Sequence, residues 1–457
     1  MNSVSLYKQS PMPYIERKID KALIEWKNQT SRKPLLVRGA RQVGKSSAVR
    51  NLGRTFEFFI EVDFISNKSI HKLFEGDIDP FRIYEELSLF YNTPVVAGKT
   101  LVFLDEIQAC IPAITSLRYF YEKVPDIHLI AAGSLLEFAL SELPSFGVGR
   151  IRSIYLYPFS FSEFLIAFNE RSLVQLIDKS FIEKPLSEPV HNKLKQYLIR
   201  YITIGGMPEV VASYVNGASL LDCQGILEEL TNSLYDDFSK YKSKVPVTRL
   251  REAFASVIMQ TGSKFVLSQI DSKANRLQLK ESLELLEQAG IIFPVVHSSS
   301  NGIPLGAQTN NKFRKYLIFD TGIFQRFLNL DLSELFLNTE ISVVNKGVIA
   351  ELYAGLELIK SQPNNQASSL HYWQRERKGS QAEVDYVIEF GERIVPIEVK
   401  SGIKGKMQSL RIFMEEKECK LGIRTSLENF ARLGNINIIP LYAIGAILKT
   451  GKEKTLA

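Results

Sequence analysis

The stretch GARQVGKS, Gly39 to Ser46, constrains the fold more than any other part of the chain. Leu35, Leu36 and Val37 precede it as a short apolar run that fits a buried strand, and a helical pattern follows from Ser47. A G-x-x-x-x-G-K-S between strand and helix is a phosphate-binding loop. Gly39 and Gly44 let the backbone curl so that its N–H groups point at phosphate oxygens. The helix behind it adds the positive end of its dipole. Lys45 is expected to reach the β- and γ-phosphates and Ser46 to hold Mg²⁺. The expected ATP-binding set is Gly39, Ala40, Arg41, Gln42, Val43, Gly44, Lys45, Ser46 and Ser47.

KTLVFLDEIQAC repeats the logic of a buried strand ending at a ligand. Four apolar residues, Leu101 to Leu104, lead into Asp105 and Glu106. Asp105 is placed to bind Mg²⁺ through water, and Glu106 to orient and deprotonate an attacking water. A third strand, IHLIAAGS, ends at Ser134. Ligands of an open α/β sheet bind at the C-terminal strand ends, so Ser134 belongs beside Asp105, where it can sense the γ-phosphate. Arg150 and Arg152, in GRIRS, are candidates for an arginine finger reaching a neighbouring subunit's γ-phosphate, with Arg150 the first choice.

Composition narrows the setting. A chain of 457 residues should hold about two to four domains. It is 45% hydrophobic and 23% charged, as soluble globular chains are. No apolar run reaches the roughly 18 residues of a membrane span, and the first residues lack an apolar signal core. Cys110, Cys223 and Cys419 are far apart, and the five histidines are scattered. That argues against zinc and for a reducing, cytoplasmic compartment. The net charge of +6 permits a nucleic-acid partner without demanding one.

GARQVGKS, LVFLDEIQ, AAGSLLEF, GRIRSIYLYPFSFSEFL and GGMPEVV occur in this order. The series resembles prokaryotic AAA-type ATPases that carry a C-terminal domain of unknown function with a restriction-endonuclease-like, PD-(D/E)xK core. The resemblance covers nearly the whole chain. It implies an ATP-binding AAA fold, a helical lid and an ancillary C-terminal domain, and supplies no biological role. LYPFSF departs conservatively from the Leu-Ser-Phe that many relatives have after the proline.

The expected fold is accordingly α/β: a P-loop ATPase core over residues 1–159, a helical lid over 160–245, a winged-helix domain over 246–335 and a restriction-endonuclease-like domain over 336–457. FSFSEFLIAF and PVHNKLKQYLIRYI have helical spacing. Gly205 and Gly206 open a helix that starts at Pro208. Residues 179–191 read as a surface loop. In the winged-helix segment one helix ends at Gly262 and another, capped by Gly290, buries Leu279, Leu283 and Leu286. Lys273, Arg276 and Lys280 share its other face, which suits phosphates or simple solvation. IIFPVVHSSSNGIPL and RKYLIFD are expected to form the hairpin wing.

EVDYVIEF and IVPIEVK alternate as strands around a two-residue turn that begins with Gly391. That turn sets Phe390 opposite Arg393, Asp385 opposite Glu398 and Glu383 opposite Lys400. Facing carboxylates repel, and Mg²⁺ between Asp385 and Glu398 would relieve them. Lys400 could then orient the attacking water. Glu351 lies in an apolar helical stretch upstream. Glu351, Asp385, Glu398 and Lys400 together match the restriction-endonuclease-like pattern, which implies metal-dependent phosphodiester cleavage. HYWQRERKGSQ would add an outer strand, with Arg375, Arg377 and Lys378 near the phosphate path. Three functions follow: an ATPase coupling Mg²⁺-dependent hydrolysis to rearrangement of the C-terminal domain, an ATP-controlled DNA nuclease, or a slow ATP-binding docking switch. The partners they allow are ATP, DNA and a second copy or another protein, without a membrane.

Overall fold

The computed structural model describes residues 13–448 apart from 135, 137–139, 141–148, 181, 242–243, 271–274, 331–345, 376–381 and 403–406. Lys273, Arg377 and Lys378 lie outside the described residues, as does the junction expected near residue 335.

Five apolar runs make a parallel sheet: β1 (Leu35–Arg38), β2 (Phe58–Asp63), β3 (Thr100–Asp105), β4 (His128–Ala132) and β5 (Arg152–Tyr155), in the order β2-β3-β4-β1-β5. Every residue of β3 and β4 is buried, as expected of central parallel strands covered on both faces. The helices Pro80–Tyr91 and Ile111–Lys123 cover the face carrying Leu36, Val62, Val102 and Ala131. The face carrying Val37, Phe103 and Ile130 packs on a core that runs on through the rest of the chain.

Residues 160–245 are helical: Phe161–Ala167, Arg171–Lys179, Glu188–Ile204, Pro208–Val215 and Leu220–Asp237. The expected start at Pro208 holds, with Gly205 at φ +77°. The segment expected as a surface loop does not lie free. Ser180, Ile182 and Leu186 are buried, and Leu186 exchanges hydrogen bonds with the Asn429 side chain, 3.3 and 2.6 Å. The helices Val247–Met259 and Arg276–Gln288 follow, the latter burying Leu279, Leu283 and Leu286.

The expected wing forms as a hairpin, β6 (Ile292–Ser298) and β7 (Thr309–Ile318), but it is not a wing. It is one edge of an eight-stranded sheet with β8 (Leu370–Gln374), β9 (Glu383–Phe390), β10 (Arg393–Val399), β11 (Gly422–Ser426), β12 (Ala431–Leu433) and β13 (Ile436–Pro440). The order is β12-β13-β11-β10-β9-β8-β6-β7. Ile292, Val295, Leu317 and Ile318 are buried in a core shared with Leu283, Leu286 and Leu352 of the flanking helices, and the β6 edge that a wing would leave open pairs with β8. HYWQ is therefore an interior strand between β6 and β9, not an outer one. The turn at Gly391, φ +58°, gives the expected register, from Phe390 opposite Arg393 to Tyr386 opposite Ile397.

The two sheets are tied by residues that follow the helix Lys346–Ser361. The Tyr155 N–H at the edge of the first sheet donates to the Asn364 carbonyl at 2.7 Å. The Tyr157 hydroxyl lies 3.0 Å from the Ser368 hydroxyl.

Candidate nucleotide site and a second charged cluster

The loop after β1 has the backbone that its glycines foretell. Gly39 is at φ +141°, Gln42 at +62° and Gly44 at +92°. A Cβ on Gly39 would stand 2.0 Å from the Leu156 carbonyl oxygen, so no other residue fits there. The helix Lys45–Gly53 starts directly behind. Lys45 Nζ donates back to the Gly39 and Ala40 carbonyls at 2.9 and 2.8 Å. Burial pulls its ammonium down to about 8, against the opposing pull of Glu106 and Asp105. Arg41 and Gln42 are exposed, and Arg41 pairs with Asp237 at the end of the helix Leu220–Asp237.

Asp105 ends β3 beside this loop. Burial pushes its carboxyl up to about 6, although a hydrogen bond from Ser46 works the other way. Arg50 lies 3.9 Å from Asp105 and holds Glu61 at 2.6 Å. Glu106 takes a left-handed conformation, φ +51°. Its Oε2 accepts from Gln108 Nε2 at 2.5 Å, and its N–H donates to Asp105 Oδ1 at 3.1 Å. Ser134 stands just past β4, the neighbour of β3. The parallel sheet thus brings Lys45, Ser46, Asp105, Glu106 and Ser134 to one edge. Ser46 and Asp105 offer hard oxygen donors, which suit Mg²⁺.

Arg150 and Arg152 are at the other edge. Arg152 opens β5 opposite Leu35, the start of β1, whereas the phosphate loop follows the end of β1. Arg150 contacts Glu122, and Arg152 lies 3.4 Å from Gln29. Neither can serve the phosphate loop of its own chain.

A buried polar network that the motifs did not announce reaches the loop from beneath. Arg17 donates to the Val43 carbonyl at 3.1 Å, to the Tyr157 carbonyl at 2.7 Å and to Glu163 at 3.0 Å, its guanidinium 4.1 Å from the Phe159 ring centre. Glu163 caps its own helix through Ser160. Glu357, in the helix Lys346–Ser361, accepts from the Phe161 N–H at 3.0 Å. Lys360 donates to the Phe159 carbonyl at 3.1 Å and to Tyr201 at 2.8 Å. The Ser-x-x-Glu of SFSE was the one legible sign of this network, as a capping box. Nothing in the sequence marks Arg17.

The second sheet and the helix Lys346–Ser361 bring Glu351, Asp385, Glu398 and Lys400 near one another, and add a residue that the sequence pattern omitted. Lys315 of β7 is 1% exposed, and its ammonium lies 2.9 Å from Glu351 and 2.5 Å from Glu383. Asp385 Oδ2 accepts from the Val399 N–H at 2.7 Å, and Lys400 lies 2.5 Å from Glu398. Glu383 therefore meets Lys315 rather than Lys400. Burial raises the carboxyls of Glu351, Asp385 and Glu398, and Lys315 opposes that at all three. Arg375 pairs with Glu416. Among the described residues, no group of three or more His, Cys, Asp or Glu is arranged to hold a metal ion.

With the loop, the strand order and the acidic strand end in place, comparison with known proteins becomes informative. Residues 31–165 match the family model of an AAA domain. Residues 195–334 and 346–444 match two further models, each described as a domain of unknown function (DUF8612 and DUF4143). No curated protein matches the chain. Among solved structures, a Walker-type ATPase of Pyrococcus abyssi is 16% identical with a TM-score of 0.46, over 69% of this chain and 96% of that one. The Aeropyrum pernix ORC1 protein in complex with DNA is 12% identical with a TM-score of 0.29, over 71% and 95%. A signal transduction ATPase with numerous domains and a tetratricopeptide repeat sensor, from Pyrococcus horikoshii, is 12% identical with a TM-score of 0.29, over 78% and 47%. The AAA domain holds every residue of the phosphate loop and the acidic strand end. Among the described residues, no helix is long and apolar enough to cross a membrane.

Proposed function

We propose that the chain binds ATP with Mg²⁺ in its AAA domain, hydrolyses it, and uses the nucleotide state to reposition the C-terminal sheet. The observation that carries this reading is the joint placement of Lys45, Ser46, Asp105 and Glu106 at one sheet edge, behind a loop whose Gly39 cannot be another residue. Lys45 would exchange the Gly39 and Ala40 carbonyls for phosphate oxygens, and its compact ammonium suits that role. Ser46 and Asp105 would hold Mg²⁺, which supplies charge neutralisation of the triphosphate when bound. Glu106, released from Gln108, would take the proton of a water whose oxygen attacks the γ-phosphorus, with ADP as the leaving group. Ser134 is placed to touch the γ-phosphate. An arginine finger from Arg150 would have to act on a second copy, because each chain holds it at the edge away from its own loop.

Coupling rests on Arg17. Its hydrogen bond to the Val43 carbonyl links the loop through Glu163 and the Phe161 segment to Glu357 on the helix Lys346–Ser361. A shift of the loop on nucleotide binding would be felt at that helix through packed, discrete contacts.

The test compares ATP binding and phosphate release in the wild type, Lys45→Ala and Glu106→Gln. Lys45→Ala should lose ATP binding. Glu106→Gln should keep it while hydrolysis falls by about 10²- to 10⁴-fold, the usual worth of a general base. Unchanged ATP affinity in Lys45→Ala would sink the assignment.

A further inference from the structure

The divalent metal that a nuclease reading calls for has to fit among Glu351, Asp385 and Glu398. The position it would need is contested by a residue of the chain itself. β7 runs alongside the helix Lys346–Ser361, and alternate residues of the strand face it. Leu317 packs where Gly355 leaves room: a Cβ there would come 2.5 Å from Leu317 Cδ1. Two residues back along the strand, Lys315 meets Glu351, one helical turn before Gly355. The ammonium also meets Glu383 of β9 and lies 5.3 Å from the Tyr372 ring centre. Its charge acts on Asp385 and Glu398 as well.

Two further oxygens of the cluster already have donors. Asp385 Oδ2 is spent on the Val399 N–H and Glu398 Oε1 on Lys400. Glu398 Oε2 is buried and has no hydrogen-bond partner among the described residues. Mg²⁺ keeps several waters and needs only one or two carboxylates, so what excludes it is the Lys315 ammonium already paired with Glu351 and Glu383, not a shortage of oxygens.

We propose that the Lys315 ammonium is the permanent cation of this carboxylate cluster, so that the C-terminal half binds no divalent metal there and cuts no nucleic acid. The cluster works instead as a charge lock. It fastens β7, and with it the segment of residues 246–330, to the helix Lys346–Ser361 and to β9. A buried ammonium paired with carboxylates from two other elements penalises any sliding of β7 that would leave charge unpaired.

The experiment titrates Mn²⁺ into the full-length protein by calorimetry and assays plasmid nicking in Mn²⁺. The chains compared are the wild type, Asp385→Asn, Lys315→Met/Glu383→Gln, and the latter with Asp385→Asn added. The double variant removes one charge of each sign and keeps Glu351, Asp385 and Glu398. Asparagine at 385 keeps an acceptor for the Val399 N–H. Any Mn²⁺ held at Ser46 and Asp105 is common to all four chains and cancels. The expected result is identical isotherms and no nicking for the wild type and Asp385→Asn, a gained Mn²⁺ site in Lys315→Met/Glu383→Gln, and its loss when Asp385→Asn is added. A wild-type Mn²⁺ site or nicking activity that Asp385→Asn removes would overturn the proposal. So would a folded lysine-free variant that gains no site, because something other than Lys315 would then exclude the metal. If the lysine-free chain fails to fold, the wild type against Asp385→Asn still decides the metal claim.

Discussion

Arg17, which donates to the phosphate loop at Val43, forms a buried ion pair with Glu163, their side chains 4% and 6% exposed. Burial alone would raise the Glu163 carboxyl. The charges of Arg17 and Lys18 and the N–H groups of Ser160 and Lys18 outweigh burial and hold it at about 2. A carboxyl whose value is depressed on folding stabilises above its unfolded value and loses that contribution as pH falls toward the folded one. The shift from 4.5 to about 2 corresponds to about 3 kcal/mol. Glu163→Gln should therefore cost about 3 kcal/mol near pH 7, in line with breaking a buried pair from one side. The gap between variant and wild type should begin to close below about pH 4.5, read from denaturant midpoints at several pH values. A gap that stays constant down to pH 3 would mean that the Glu163 charge does not carry the stabilisation.

At the level of elements, glycine positions separate what a pattern can reveal from what only packing can. Gly391 was legible because a two-residue turn between alternating strands needs a residue tolerant of positive φ. A Cβ there meets nothing within 4 Å, so Gly391→Ala should cost only the left-handed penalty of about 1 kcal/mol. Gly206 has ordinary φ, and its role is close approach: a Cβ would fall 2.4 Å from the Phe159 carbonyl oxygen. That approach allows the Phe159 N–H to donate to the Gly206 carbonyl at 2.7 Å. Gly206→Ala should cost about 3 kcal/mol or give insoluble protein, as overpacked sites do. Thermal melts of the two variants check the contrast, and equal destabilisation would refute it. The same distinction explains what the sequence showed of the site. Gly39 to Ser46, Asp105 and the Gly391 turn are local patterns whose spacing encodes their geometry. Lys315, Arg17 and Glu357 act on partners 36, 146 and 196 positions away. No local period records such pairings. The wing was misplaced for a related reason: a hairpin pattern specifies its own turn but not the strand that pairs with its outer edge.

For the whole molecule, the question is whether the AAA domain and the C-terminal sheet are separable. Family models divide the chain at about residue 340, between 195–334 and 346–444. The physical connections cross that line. β6 precedes it and pairs in parallel with β8, which follows it. The buried Phe161 N–H depends on Glu357, and the Phe159 carbonyl and Tyr201 hydroxyl accept from Lys360. Lys315 depends on Glu351 and Glu383 for its counter-charges. A chain ending at residue 330 would expose the β6 edge to other chains. It would also leave a lysine without its carboxylates and donors without acceptors, each unsatisfied buried polar group costing about 1–3 kcal/mol. Against a total stability of about 5–15 kcal/mol for a typical domain, the sum is enough to unfold it. The fragment 1–330 should therefore express as aggregated protein, or as a species with a lower melting temperature and no ATP binding, although it keeps every residue of the phosphate loop. Soluble 1–330 that melts like the full chain and binds ATP with the same affinity would show that the line between the two family models is also an energetic boundary. The contacts across it would then be docking between independent units, and Arg17 would have no rigid path by which to pass a nucleotide signal to the helix Lys346–Ser361.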